Sequence, residues 1–142
     1  IGCDLGKGTI SVPGGGSIPA RKRFRAISLT DNVATMTAWS NDTSYDDIFV
    51  EQLKNLVNSG DLIIGISVSG NSENVVRAMQ YAKAVGCYVI AWTGIGGGKM
   101  GEISDLSVIV ESDQYGPVED VHLILNHILH AWISEELASR NA

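Results

Sequence analysis

Apolar positions along the chain follow two rhythms. The segment 61–66, with Leu62, Ile63 and Ile64 in an unbroken run, reads as a strand covered on both faces, since a half-buried strand would alternate; 87–94 (CYVIAWTG) reads as another buried strand and 106–111 (LSVIVE) as the last. Between them the spacing lengthens to three and four. Val75, Val76, Met79 and Ala82 predict a helix from Glu73 to Ala84, ended near Gly86. Ile48, Phe49, Leu53 and Leu56 share a second helical face, with Asp46 and Asp47 near its N-terminus and Gly60 at its stop. The segment RAISL, 25–29, predicts a fourth strand, and Thr30 or Asp31 then caps a helix running through Met36 and Trp39. A short helix is expected over 99–104 and a long one over 118–138. On the latter, Val121, Ile124, Leu125, Ile128, Leu129 and Trp132 form a wide apolar stripe. Residues 6–23, rich in glycine and holding Pro13 and Pro19, predict a flexible loop.

Strands alternating with helices imply an α/β fold: a three-layer α/β/α sandwich around a parallel sheet. Ligands of such sheets bind beyond the carboxyl ends of the strands, where a loop leads into a helix. The segment SVSGNS, 67–72, occupies such a place. Ser67, Ser69 and Ser72 offer hydroxyls, Gly70 frees backbone N–H groups, and a helix N-terminus follows. These are the parts of an anion site, because first-turn N–H groups lack partners and the helix dipole favours negative charge. A cap alone, on Asn71 or Ser72, needs one such side chain, and this loop holds four polar ones.

Composition narrows the field. The 142 residues are 44% hydrophobic and 18% charged, which suits one globular domain. A net charge of −6 and a pI near 4.9, with no basic block, argue against nucleic acid and anionic membranes as partners. Cys3 and Cys87 have no CxxC spacing, so reduced thiols in a cytoplasmic protein fit better than a disulfide framework or a zinc knuckle. No apolar run approaches the roughly 18 residues of a membrane span, and no signal peptide is visible. The opening IGCDLGKGT lacks methionine and reads as though cut from a longer chain.

Two other motifs are weaker. TGIGGGKM, 93–100, looks nucleotide-like but fits neither glycine fingerprint: three residues, not four, separate Gly94 from Gly98, and Met100 follows Lys99. It is expected to be a plain loop. His122, His127 and His130 all fall on the final helix and make no HExxH pair. His127 follows Glu119 by eight residues, about 80° around a helix, so both side chains can lean toward one cleft. A carboxylate facing an imidazole suits proton transfer or metal binding, although a packed or solvated histidine is the commoner outcome.

The string GDLIIGISVSGNSENVVRAMQYAKAVGCYVIAWTG, with CDLGKGT before it and VEDVHLILNHIL after it, closely resembles the sugar isomerase (SIS) family of phosphosugar-binding domains, nearest its phosphoheptose isomerase branch. The resemblance implies a five-stranded parallel sheet in flavodoxin-like order and a homotetramer with shared sites. It also implies a sugar phosphate held by Ser67, Ser69, Gly70, Asn71 and Ser72, with Asp31 lining the sugar site. The activity implied is aldose–ketose isomerisation of sedoheptulose 7-phosphate without a nucleotide cofactor. His127 and Asp4 would move protons, Glu119 stands where the family usually has Gln, and Asp4, Glu119 and His127 would form the ligand set of a zinc ion. The family's opening helix, first strand and Gly-Asn-Gly-Gly-Ser loop find no counterpart here. The rival implied by the same family is a non-catalytic sugar-phosphate-responsive regulator, or an adaptor of the replication-initiator type.

Overall fold

A computed structural model describes residues 8–20 and 25–140. The elements run β1 (Gly8–Ser11), β2 (Ser17–Ala20), α1 (Val33–Asp42), a 3-10 turn (Tyr45–Asp47), α2 (Val50–Leu56), β3 (Leu62–Ser67), α3 (Glu73–Val85), β4 (Tyr88–Thr93), α4 (Gly98–Ile103), β5 (Leu106–Ile109) and α5 (Tyr115–Arg140). They divide into two compact units. Residues 29–122 form one, and the hairpin and the part of α5 after His122 belong to the other.

The larger unit is α/β, with β3, β4 and β5 as a parallel three-stranded sheet in that order. Register is continuous, from Leu62 opposite Tyr88 to Ser67 opposite Thr93, and from Ile90 opposite Leu106 to Thr93 opposite Ile109. Alternation along β4 sends Val89 and Ala91 to one face, where they join Leu53, Val76, Met79, Ala82 and Met100 in the core. Gly65 lies on that face because Met79 and Met100 leave no room for a Cβ. Trp92 points the other way and meets the ring of His122 at 6.2 Å between centroids. Leu62, Ile66, Tyr88 and Leu106, also on that face by alternation, are exposed.

Local chemistry accounts for the boundaries. Gly86 ends α3 in the left-handed conformation (φ 97°), its N–H returning to the carbonyls of Ala82 and Lys83. Asp105 enters β5 by a two-way clasp on Val89: its carboxylate accepts the Val89 N–H at 2.8 Å and its own N–H donates to the Val89 carbonyl at 2.7 Å. That bond, followed by the ammonium of Lys83, holds the Asp105 carboxyl below its ordinary value.

Three expectations are corrected. Residues 25–28 form no strand and Leu29 lies in a turn, its carbonyl accepting from Gln52 Nε2 at 3.1 Å. A strand exists through its ladder, and a five-residue segment with three apolar residues and no ladder has little intrinsic claim to that conformation. The helix after it is capped by Asn32, whose Oδ1 accepts the Thr35 N–H at 3.0 Å, and not by Thr30 or Asp31. Where a loop was expected over 6–23, β1 and β2 pair as an antiparallel hairpin, with Thr9 opposite Pro19. Gly14, Gly15 and Gly16, all at positive φ, make its turn.

In the other unit, α5 continues past His122 with Leu123, Ile124, Ile128 and Trp132 exposed. No helix among the described residues is long and apolar enough to cross a membrane.

Candidate functional site

Strand β3 ends at Ser67, and α3 starts six residues on at Glu73. Gly70, at φ 63°, makes the turn between them, its N–H donating to the Ser67 carbonyl at 3.0 Å. The turn draws three hydroxyls together. Ser67 Oγ lies 2.8 Å from Ser72 Oγ and 3.4 Å from Ser69 Oγ, and Ser69 Oγ accepts the Asn71 N–H at 3.2 Å. Ser72 holds the N-cap position of α3 yet makes no side-chain cap bond, because its hydroxyl is turned to Ser67. The helix thus presents an uncapped N-terminus beside three hydroxyls, and such a terminus attracts anions.

A carboxylate at that terminus, Glu73, would oppose an anion if left alone. It is neutralised from two sides. Arg77 Nε bonds Glu73 at 3.1 Å, and Lys99 Nζ stands 3.6 Å from its other oxygen. The Arg77 bond, with support from Lys99, holds the Glu73 carboxyl below its usual range. Arg77 also reaches Asp47 at 2.8 Å and Asp46 at 3.5 Å, fastening the 3-10 turn to α3. The Asp47 carboxyl is lowered first by the Ser44 hydroxyl and then by Arg77.

Behind the serine loop lies the glycine loop that follows β4. Gly94 N–H donates to the Val68 carbonyl at 2.8 Å, Met100 N–H to the Gly70 carbonyl at 2.9 Å, and Lys99 N–H to Asn71 Oδ1 at 3.0 Å. The backbones meet so closely that a Cβ on Gly70 would collide with the Gly97 carbonyl. Neither Arg77 nor this loop was singled out from the sequence for the site. The readable signal was the run Gly96, Gly97, Gly98, three successive residues at positive φ. At the end of β4, directly opposite Ser67 in the ladder, the fully buried Thr93 hydroxyl has no hydrogen-bond partner among the described residues, while the Thr93 carbonyl lies 3.4 Å from His122 Nε2.

The SIS domain family profile matches residues 14–94, more than half of the chain, and takes in the serine loop. The chain belongs to the SIS domain family. It is similar to a protein named probable phosphoheptose isomerase from Thermoplasma acidophilum, at 40% identity over 82% of this chain and 64% of that one. Among solved structures it is similar to a phosphoheptose isomerase from Francisella tularensis (TM-score 0.76, 33% identity, 83% of this chain and 62% of that one). A second is the phosphoheptose isomerase from Neisseria gonorrhoeae (TM-score 0.70, 34% identity, 72% and 58%). The chain therefore spans about three fifths of the length of these relatives.

The other expected site residues of this SIS domain lie outside the serine loop. Asp31 is exposed at the bend before Asn32, and among the described residues no hydrogen bond joins it to the serine loop. Glu119 is exposed on α5 before the boundary between the units, and His127 is exposed on α5 after it. Asp4 lies outside the described residues. No three His, Cys, Asp or Glu side chains gather as a metal site among the described residues.

Proposed function

We propose that the chain is the sugar-phosphate-handling part of an aldose–ketose isomerase acting on sedoheptulose 7-phosphate. The observation that carries this is the Ser72 hydroxyl, which leaves α3 uncapped and joins Ser67 and Ser69 at its N-terminus. An anion there receives hydroxyl and amide donors together, each charge-assisted bond contributing roughly 1.5–3 kcal/mol. The names of the relatives supply the sugar.

In this reading Ser67, Ser69, Gly70, Asn71 and Ser72 form the phosphate seat, and Asp31 and Glu119 meet the sugar. A base takes the proton from the carbon beside the carbonyl while an acid protonates the carbonyl oxygen, giving the enediol; the proton then returns to the former carbonyl carbon as the other enediol hydroxyl loses its own and becomes the new carbonyl. One base and one acid suffice, the roles given to His127 and Asp4. Aldose and ketose are isomers, so no nucleotide is consumed. Asp4, Glu119 and His127 would be the ligands of a zinc ion. A homotetramer in the cytoplasm completes the reading, and the exposed apolar row on α5 supports self-association.

The test is turnover of sedoheptulose 7-phosphate by the chain and by its His127→Ala variant. The proposal expects turnover that falls at least 100-fold on substitution. Undiminished turnover in the variant removes His127 from the chemistry, and binding without turnover by the unaltered chain favours the regulator or adaptor.

A further inference from the structure

The Asn71 side chain, itself exposed, turns both of its polar atoms to neighbouring backbone. Its Nδ2 donates to the Ser69 carbonyl at 2.8 Å, closing the serine loop on itself, and its Oδ1 accepts the Lys99 N–H at 3.0 Å, tying that loop to the first turn of α4. Met100 N–H reinforces the tie on the Gly70 carbonyl at 2.9 Å. Gly98 is what lets Asn71 approach: a Cβ there would stand 2.7 Å from Asn71 Nδ2 and 2.7 Å from the Gly70 carbonyl oxygen. Gly98 also sits at φ 55°, where side chains are rarely accommodated.

The geometry points to Asn71 as a positioning residue, one that sets the phosphate seat by locking the serine loop to the glycine loop and does so through Gly98. The phosphate is then held by Ser67, Ser69, Ser72 and backbone N–H groups, with Asn71 keeping them aligned. This rests on the sugar-phosphate reading of the serine loop. It adds that the glycine loop, which fits no nucleotide fingerprint, is the abutment on which affinity depends. A misplacement of about 1 Å is enough to cost much of what an aligned set of donors contributes.

The experiment is calorimetric titration of the chain with inorganic phosphate, comparing Asn71→Ala, Gly98→Ala and the double variant at a temperature where each is folded by circular dichroism. Each single change is expected to raise Kd about tenfold, the equivalent of one hydrogen bond to a charged group. The double variant should be no weaker than the weaker single one, because the same lock is already open. Hydrogen exchange at the Lys99 amide should speed up in all three. A direct Asn71–phosphate contact would show otherwise: Gly98→Ala would leave Kd unchanged, or the two losses would multiply, and either result overturns the inference. Should Asn71→Ala fail to fold, Gly98→Ala decides alone, since it leaves every polar group of the serine loop in place. Unaltered phosphate affinity in both single variants overturns the inference and spares the sugar-phosphate reading. Absence of phosphate binding by the unaltered chain overturns both.

Discussion

The loops after β3 and β4 stand against each other and divide one task unequally. The serine loop carries nearly all of the recognisable chemistry: three hydroxyls, a tight turn and an uncapped helix behind. The glycine loop contributes backbone, with Gly94, Lys99 and Met100 donating N–H groups to its neighbour and three positive-φ glycines allowing the approach. The contrast teaches that donors able to hold an anion are aligned by a partner that meets them chiefly through its backbone. Hydroxyls on an unsupported loop would sample many arrangements, and ordering them on binding would cost conformational entropy.

The largest expected effect comes from wedging the two loops apart. Gly70→Ala places a methyl against the Gly97 carbonyl at a positive φ and should cost about 3 kcal/mol in urea unfolding. A loss below about 1 kcal/mol would mean that the loops separate readily. Next is Ser69→Ala, which leaves the seam intact. It should weaken phosphate binding by roughly 1.5–3 kcal/mol while moving stability by less than about 0.5 kcal/mol. Equal losses in stability and affinity would erase the distinction between the donor loop and its support.

A third prediction concerns acid. The Glu73 carboxyl is depressed below 4.5 in the folded state by Arg77 and Lys99, so the stability it contributes is complete above 4.5 and is lost as pH falls through the lower folded value. Arg77→Gln should flatten that limb of the stability–pH curve, and an unchanged limb would show that Arg77 does not set it. The smallest effect is expected for Lys99→Gln. The Lys99 backbone N–H makes the tie to Asn71, whereas its ammonium stands exposed 3.6 Å from Glu73, so the urea midpoint should hardly move. A large shift would give the glycine loop a side-chain role that the contrast denies it.

The same contrast separates what was legible in the sequence from what was not. Unbroken apolar runs and helical spacing marked β3, β4, β5, α3 and α5, because burial on a parallel sheet imposes those rhythms directly. The serine loop was legible because its chemistry lies in side chains. The glycine loop was not, since Gly94 and Gly98 act through backbone geometry that depends on a partner distant in sequence. The segment 25–29 failed for a related reason: Ile27 and Leu29 suit a strand, but a strand is a property of two segments. The hairpin was hidden by its glycines and prolines, which signal a turn more loudly than its short flanks signal strands. The site role of Asp31 came from family resemblance, and those of Glu119 and His127 from helical spacing together with that resemblance; neither source carries distances.

The most direct measurement of the central claim is an amide nitrogen–proton NMR titration of the chain with sedoheptulose 7-phosphate. The account predicts saturable shifts largest at the amides of residues 67–73, with smaller ones at Gly97, Gly98 and Lys99 across the seam. Saturable binding that leaves residues 67–73 unmoved, or no binding at all, would contradict it.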